Sequence, residues 1–471
     1  MRVIDQIYID GAFTTPHGEE LADLFNPATE QRIGQVRLGD ATDTRAAVAA
    51  AKRAFPAFSR TSKADRIALL RRLHDAVAAR ADDLAAAMRE EYGAPAYFVG
   101  FSAAHAAEVF LNMATTLEGY DFTRTIGRAQ VTMQPLGVVA AITPWNSDIG
   151  FICGKLATAV AAGCTIVIKP SEMSAIQTQV VTQALHAAGL PPGVFNIVTG
   201  RGDVVGAELT SHPDVAKVTF TGSTAVGKTI LRAAADTFKR VTLELGGKGP
   251  NIILPDADLD VAIPTVLRMG LANSGQACVA GTRILAPEAR LPEILERLKA
   301  GVAAIKTGPP TDPAVQVGPM VSRKQWDRVQ AYIRLGLEEG AQLLAGGEGR
   351  PDDLERGWFV RPTIFTGVTN AMRIAREEIF GPVLCVIPFS DEAEAIAIAN
   401  DTAYGLQAYL HGADIDHMRA IADQLESGRV VINGAQHEPL APFGGFKQSG
   451  IGREYGVFGL ETHLEPRAVL V

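Results

Sequence analysis

The middle of the chain alternates between short apolar runs of strand length and alanine-rich stretches of helical length. Such β–α alternation predicts a parallel sheet with helices on its faces. The sequence therefore predicts an α/β fold for this part of the chain. The runs that predict strands are Val138–Ile142, Thr165–Ile168, Phe195–Val198, Lys217–Phe220 and Val241–Glu244.

The first 120 residues precede this alternation and predict mainly helices. Ile7–Ile9 predicts a short strand with a turn at Gly11, and Ala41–Phe55 is rich in alanine. Ser62 followed by Asp65 three positions later is the pattern that caps the start of a helix. We expect these helices to contribute packing and no catalytic group.

A second alternating segment runs from Asn251–Leu254 to about Asn433 and predicts a second α/β domain. The polar stretch Thr123–Gln134 predicts further strands, and the tail after about Gly450 is short and mixed. No low-complexity linker separates these parts, so we expect the domains to pack tightly.

Polar and glycine-rich clusters follow the five predicted strands. Parallel sheets bind their ligands at the carboxyl ends of the strands, where these clusters would meet. The sequence therefore predicts a binding site at one edge of the sheet. The clusters are Thr143–Asn146, Lys169–Glu172, Gly200–Gly202, Thr221–Gly227 and Leu245–Gly247.

The composition limits the kinds of function that this protein can have. The 471 residues are 47% hydrophobic and 20% charged, which predicts a globular protein of two or three domains. The net charge of −8 argues against a nucleic-acid surface. The longest apolar run, Leu156–Ile168, is shorter than the roughly 20 residues that span a bilayer. We expect a cytoplasmic protein with no membrane or nucleic-acid partner.

Four cysteines, Cys153, Cys164, Cys278 and Cys385, match neither a zinc pattern nor a disulfide framework, so we expect no metal site. Cys278 lies among small residues in the segment NSGQACVAGTR, which would allow a substrate to approach the thiol closely. Taken alone, it is either a nucleophile or an inert buried thiol.

Glu244 ends an apolar strand, where an unpaired carboxylate is costly to bury. It is either a general base or the partner of Lys248 or Arg240 in a salt bridge.

Two of the clusters match nucleotide-binding patterns. Gly222–Gly227 follows a strand and opens a helix, which suits a pyrophosphate but also fits a plain tight turn. Lys169 and Glu172 can both reach sugar hydroxyls, and Glu172 would repel a 2′-phosphate, favouring NAD over NADP. Alternatively, their charges are simply solvated.

Seven motifs together resemble the aldehyde dehydrogenase superfamily, in its NAD(P)-dependent hydrolytic form. They occur in the family's order from about Tyr8 to the C-terminus, and 34 residues separate Glu244 from Cys278. The motifs are TPWN, KPSE, FTGST followed by Gly227, LELGGK, GQAC, EEIFGP and PFGGFKQSGIGRE.

The resemblance implies oxidation of an aldehyde to a carboxylic acid with NAD, NADP remaining possible. Cys278 resembles the nucleophile, and Asn146 resembles the donor that holds the oxyanion together with the Cys278 backbone amide. Glu244 resembles the base that activates water to hydrolyse the thioester.

The resemblance also implies a cofactor site, in which Glu378 and Phe380 hold the nicotinamide ribose and ring and the Leu245 backbone faces the nicotinamide. The complete implied set is Thr143, Trp145, Lys169, Ser171, Glu172, Gly202, Gly222, Ser223, Gly227, Leu245, Glu378 and Phe380.

The family's domain organisation implies a Rossmann-like NAD-binding domain (1–120 and 136–246), an α/β catalytic domain (247–448) and a small β oligomerisation domain (121–135 and 449–471). A homodimer or homotetramer is therefore expected.

The chain departs from the family around the expected substrate tunnel. Ser147 and Asp148 stand where many members have an aromatic residue and a proline, Gly154 replaces a bulky residue, and His437 replaces an aromatic one. We expect a wide, somewhat polar tunnel for a bulky, aromatic or oxygenated aldehyde, unless other side chains refill the space. The predicted tunnel residues are Ser147, Phe151, Gly154, Val279, His437 and Phe443.

Two alternatives compete with hydrolytic oxidation. A coenzyme A-acylating semialdehyde dehydrogenase would pass the thioester to coenzyme A, but such members usually lack the glutamate base, and this chain has Glu244. A fold kept for binding without turnover is the other alternative. The presence of Cys278, Glu244 and Asn146 argues against it.

Overall fold

The computed structural model describes residues 2–470. In chain order, its strands are β1 (Arg2–Ile4), β2 (Ile7–Ile9), β3 (Ala12–Thr14), β4 (Leu21–Phe25), β5 (Arg32–Arg37), β6 (Thr123–Ile126), β7 (Ala129–Pro135), β8 (Val138–Ile142), β9 (Thr165–Lys169), β10 (Phe195–Ile197), β11 (Val215–Thr221), β12 (Arg240–Glu244), β13 (Pro250–Ile253), β14 (Arg283–Pro287), β15 (Gln342–Ala345), β16 (Thr363–Thr366), β17 (Val383–Phe389), β18 (Gln407–His411), β19 (Arg429–Ile432), β20 (Gly450–Ile451) and β21 (Leu464–Leu470).

The α-helices are α1 (Ala41–Phe58), α2 (Lys63–Ala78), α3 (Ala81–Ala87), α4 (Ala96–Glu118), α5 (Asp148–Ala162), α6 (Ala175–Ala187), α7 (Ala207–Ser211), α8 (Thr224–Ala235), α9 (Leu259–Gly270), α10 (Leu291–Ala303), α11 (Arg323–Glu338), α12 (Arg373–Arg376), α13 (Glu392–Asn400), α14 (Ile415–Ala422) and α15 (Gly456–Glu461).

The first large sheet has eight strands in the order β20-β12-β11-β8-β9-β10-β2-β3. Its five central strands run parallel, as predicted, whereas β20 and β2 join it antiparallel. Every residue of β8 and β9 is buried, because helices cover both faces of the sheet. The capping pair of Ser62 and Asp65 at the start of α2 is confirmed.

The second large sheet has seven strands in the order β15-β16-β17-β14-β13-β18-β19. All neighbouring pairs are parallel except β15 with β16, which confirms the second α/β unit. Its core contains buried side chains from β14, β17 and α11, including Leu285, Val386 and Ile333.

A small sheet of order β21-β7-β6 contains the strands predicted in Thr123–Gln134. β7 pairs along its whole length with β21. The predicted boundary at residue 449 is wrong, because residues 449–461 belong to the first large sheet and its helices. β20 pairs with β12 and completes its open edge, and Leu460 of α15 is buried in the same core as α4 and α5.

Another small sheet, of order β1-β5-β4, lies near the N-terminus and was not predicted. Within residues 2–470, no helix combines the length and the apolar character needed to cross a membrane.

Candidate active site

The segment before Cys278 turns sharply after α9. Asn273, Ser274 and Gly275 have φ angles of 52°, 60° and 72°, a left-handed run that is costly for the two residues with a Cβ. A Cβ at Gly275 would lie 2.1 Å from the carbonyl oxygen of Gly381. Close packing therefore ties this segment to the loop that carries Glu378 and Phe380.

Side-chain hydrogen bonds hold this segment from the opposite side. The Gln276 amide accepts from the Val321 N–H at 3.0 Å and donates to the Pro319 carbonyl at 3.3 Å. The Ser274 hydroxyl accepts from the Gly318 N–H at 2.8 Å. These bonds fix the backbone immediately before Cys278.

Cys278 differs from the other three cysteines, which are all buried, because it is partly exposed. Desolvation, together with the negative charges of Glu378 and Glu244, raises the pKa of its thiol to about 12. The backbone N–H groups of Cys278 and Val279 act in the opposite direction, lowering the pKa of the thiol. The thiol therefore rests protonated beside backbone donors that favour a negative charge.

The predicted oxyanion donor, Asn146, follows β8 and reaches this segment. Its Nδ2 donates to the Gln276 carbonyl at 3.0 Å, and Asn273 Nδ2 donates to the Asn146 carbonyl at 3.2 Å. The structure thus brings the Asn146 amide and the backbone next to Cys278 together, although they are 132 residues apart in the sequence.

Glu244 lies at the carboxyl end of β12, and its carboxylate is buried with no hydrogen-bond partner among the described residues. Burial, followed by the charge of Glu454, raises its pKa well above the ordinary value, while Lys155 and Arg453 oppose the rise. The alternative salt bridges are absent from the part of the chain described: Lys248 Nζ is likewise unpaired, and Arg240 pairs with Glu465 at 2.8 Å.

An ion pair near Glu244, between Lys155 and Glu454, was not predicted. Lys155 Nζ, nearly inaccessible in α5, lies 2.5 Å from Glu454 Oε1 and donates to Thr219 at 2.9 Å. In the sequence, Lys155 lies within the apolar segment that forms α5, and Glu454 lies in the GIGRE motif. A charge inside an otherwise apolar helix is the signal that would have identified Lys155.

The predicted nucleotide groove is built by glycines that leave room at the carboxyl edge of the first sheet. A Cβ at Gly227 would lie 2.6 Å from Leu245, and one at Gly246 would lie 2.5 Å from the Glu378 carboxylate. Glu378 also accepts from the Gly247 N–H at 2.9 Å. Glu378 and Leu245, which are distant in sequence, are thus brought to the same turn.

Helix α8 begins beside this groove with N–H groups available for an anion. Ser223 caps the helix by accepting from Val226 at 3.3 Å, and Gly222 places the turn close to the Phe220 ring. Because a helix start carries partial positive charge, the geometry fits a pyrophosphate. Gly202 lies exposed at the start of a helical turn on the same sheet edge.

Lys169 and Glu172 lie at the end of β9, with Nζ and Oε2 3.3 Å apart. Ser171 accepts from the Met173 N–H and shapes this turn. The pairing keeps the Glu172 carboxylate at the groove. These residues, with the glycine turn and α8, have the chemistry of a dinucleotide site.

Thr143 and Trp145 have structural contacts within this site. Thr143 donates to the Asp148 carboxylate at 2.8 Å, and Thr178 donates to the same group at 2.9 Å. Trp145 packs edge-on against Phe380, with the ring centres 5.5 Å apart. Asp148 itself is buried, and its contacts join α5 to α6.

The predicted tunnel is narrow at Gly154. A Cβ there would meet no atom within 4 Å, yet the adjoining cavity has only about 20 Å³, roughly the room of one water. Rings of His105, His437 and Tyr455 line it. These rings fill much of the space beside Gly154, while the width of the tunnel as a whole stays a prediction.

The remaining tunnel residues lie in the same region. Ser147 and Phe151 are partly buried near the start of α5, and Val279 follows Cys278. Phe443 is buried and packs against Tyr455, with ring centres 5.7 Å apart. Within residues 2–470, no group of three His, Cys, Asp or Glu side chains could hold a metal ion.

The model of the Aldehyde dehydrogenase family matches residues 13–469, and the chain belongs to this family. It is 46% identical over 472 residues to 3-succinoylsemialdehyde-pyridine dehydrogenase from a Pseudomonas species, covering 100% of this chain and 99% of the relative. The chain is therefore an enzyme, an aldehyde dehydrogenase that uses NAD to oxidise an aldehyde.

Solved structures agree with this assignment. Aldehyde dehydrogenase C of Pseudomonas syringae, a cysteine-to-alanine mutant in complex with NAD+ and octanal, matches with a TM-score of 0.97 and 43% identity, covering 99% of this chain and 96% of that one. The Mycobacterium tuberculosis aldehyde dehydrogenase in complex with NAD+ matches with a TM-score of 0.96 and 40% identity, covering 100% and 98%.

Proposed function

We propose that the enzyme oxidises its aldehyde through a covalent bond to Cys278 and releases a carboxylic acid by hydrolysis. The observation that carries this proposal is the buried, unpaired carboxylate of Glu244, whose charge acts on the Cys278 thiol. A carboxylate of raised pKa that lacks a partner is suited to accept a proton from water.

In the first step, the Cys278 thiol loses its proton to solvent and its sulfur forms a bond to the aldehyde carbon. The carbonyl π bond breaks, and the carbonyl oxygen gains the negative charge. The Asn146 amide and the N–H groups at Cys278 and Val279 are the donors available to stabilise that oxygen. When bound, NAD+ supplies the oxidant, because its nicotinamide accepts a hydride. Hydrolysis of the resulting Cys278 thioester then requires a water that Glu244 deprotonates.

The residues that would hold NAD are those of the groove. The α8 start with Ser223, and the glycines Gly222 and Gly227, leave space and donors for the pyrophosphate. Glu172 favours a free 2′-hydroxyl, and hence NAD over NADP. Glu378 would hold the nicotinamide ribose.

Product analysis tests hydrolysis directly. We expect wild-type enzyme to form the free acid and NADH in equal amounts, with or without coenzyme A. Cys278→Ala should form neither while keeping its fold. Formation of an acyl-coenzyme A product, or no acid without coenzyme A, would favour the acylating reaction instead.

For the substrate, we infer an aldehyde that is slender near the reacting carbon and bears an aromatic or oxygenated group farther away. The narrow cavity at Gly154 and the rings of His105, His437 and Tyr455 that line it support this inference. The relative named for a semialdehyde joined to pyridine is consistent with it. A substrate panel in which short linear aldehydes are clearly preferred would contradict the inference.

We also infer that the chain forms a homodimer or homotetramer. The small sheet of order β21-β7-β6 exposes apolar side chains, with Ile126 62% and Leu470 80% exposed. Phe458 of α15, the helix that precedes β21 in the chain, is 58% exposed. Apolar surface of this kind is commonly covered by association. Light scattering during gel filtration would contradict the inference if it gave the mass of a monomer at micromolar concentration.

A further inference from the structure

The orientation of the His437 ring is fixed by an arginine. A guanidinium nitrogen of Arg429 lies 2.8 Å from His437 Nδ1. Because a guanidinium only donates hydrogen bonds, Nδ1 must accept, and a neutral imidazole then carries its proton on Nε2. Burial, together with the charge of Arg429, lowers the pKa of His437 to about 4, so the ring is neutral at pH 7.

The Nε2–H group of His437 is free to bind another molecule. It has no hydrogen-bond partner within residues 2–470, although His437 packs edge-on against the rings of His105 and Tyr455 at 6.2 and 5.9 Å. Arg429, in turn, has no carboxylate partner in the described chain and lies over the Phe443 ring at 5.6 Å.

These groups are connected by direct contacts to the candidate active site. Arg429, which holds His437, lies over the Phe443 ring, and a Cβ on the next residue, Gly444, would lie 2.7 Å from Glu244 Oε1. Tyr409 donates to the carbonyl of Val279, the residue that follows Cys278, at 2.8 Å. The exposed side chain of His437 is therefore connected to the active site through Arg429 and Phe443.

We propose that His437 determines specificity by donating its Nε2–H to a neutral acceptor on the substrate, such as a ketone oxygen or a heteroaromatic nitrogen remote from the aldehyde. The inference rests on the proposed function of Cys278 and names the substrate class for that site. A neutral acceptor is favoured over a carboxylate because the donor is an uncharged imidazole, while Arg429 is occupied by His437 and Phe443.

The test compares β-benzoylpropionaldehyde with γ-phenylbutyraldehyde, which differ only by a ketone in place of a methylene. We expect the wild type to prefer the keto-aldehyde by about tenfold in kcat/KM, the usual effect of one hydrogen bond. His437→Phe should bring this ratio close to one, mainly through KM. His437→Gln, which keeps an N–H donor, should retain part of the preference.

His417→Phe is the matched control, because this exposed histidine of α14 pairs with Glu392 of α13. In this control, the ratio of kcat/KM for the keto-aldehyde to that for γ-phenylbutyraldehyde should equal the wild-type ratio. An equal ratio in wild type and His437→Phe would overturn the assignment of His437 while leaving the proposed function intact. The assignment of His437 would also be overturned, in favour of an anion site at Arg429, by a different result. In that result the enzyme prefers succinic semialdehyde, Arg429→Gln loses this preference, and His437→Phe keeps it. Turnover that survives in Cys278→Ala would instead refute the proposed function.

Discussion

Lys155 Nζ lies 2.5 Å from Glu454 Oε1, and this buried pair acts on the unpaired carboxylate of Glu244 with opposite charges. Glu454 raises the Glu244 pKa, and Lys155 lowers it. The pair therefore adjusts the pH at which the proposed base becomes ionised, without contacting the reacting sulfur.

Removing one charge of the pair should move the pH dependence of the hydrolysis step. In Glu454→Gln, the Glu244 pKa should fall, because a repulsive charge is lost and the Lys155 charge remains. The acidic limb of the kcat profile should then shift to lower pH, and in Lys155→Met it should shift to higher pH. Lys52→Met, which breaks a surface pair with Asp214, is the control. Coincident profiles for all four proteins would contradict the coupling.

Crowding the groove should weaken cofactor binding. In Gly227→Ala, the new Cβ would lie 2.6 Å from Leu245 and force that side chain to move within the proposed cofactor groove. We expect the KM for NAD to rise about tenfold, because overpacking a tight contact costs on the order of 1–3 kcal/mol. Gly100→Ala in α4 is the control, since its Cβ would meet no atom within 4 Å. A KM for NAD in Gly227→Ala equal to that of the wild type would contradict the placement of the cofactor in this groove.

The charge of Glu172 should govern the choice between cofactors. Glu172→Gln removes the repulsion of a 2′-phosphate while Lys169 remains beside it. The ratio of kcat/KM for NADP to that for NAD should rise by about tenfold or more, as expected when a charge opposing a phosphate is lost. An unchanged ratio, measured from NADPH and NADH formation, would show that Glu172 does not contact the ribose.

Arg283 should be a major contributor to the stability of the second large sheet. This buried residue of β14 donates to the carbonyls of Lys248, Ile398 and Ala399. Arg283→Met would leave these acceptors unpaired, so we expect a loss of about 3 kcal/mol or more. At this chain length, the loss would lower Tm by several degrees in a thermal melt. A change within about half a kcal/mol would mean that water replaces the guanidinium.

Periodicity predicted the sheets well, because strands such as β8 and β9 are apolar throughout and end at recognisable polar clusters. It did not place β20, since a two-residue strand carries no periodic signal and gains its order only by pairing with β12. The catalytic candidates Cys278 and Asn146 were found from their motifs. Their contact through Gln276 could not be inferred from spacing, because the left-handed turn at Asn273 creates it.

The packing beside Gly154 could not be predicted from the sequence, for a physical reason. A glycine at 154 indicates lost volume, but the sequence does not show which rings move into that volume. Here His105, His437 and Tyr455 arrive from three separate segments. The buried contacts of Asp148 with Thr143 and Thr178 could not be predicted either, because they depend on how α5 and α6 pack.

The central claim is that Glu244 activates the water that hydrolyses a Cys278 thioester. The most direct measurement is the intact mass of Glu244→Gln after mixing with aldehyde and NAD, together with a count of NADH formed in the first turnover. The account predicts a burst of about one NADH per subunit and a stable acyl adduct on Cys278, because hydride transfer proceeds while hydrolysis stalls. Steady turnover at the wild-type rate without an adduct would contradict it.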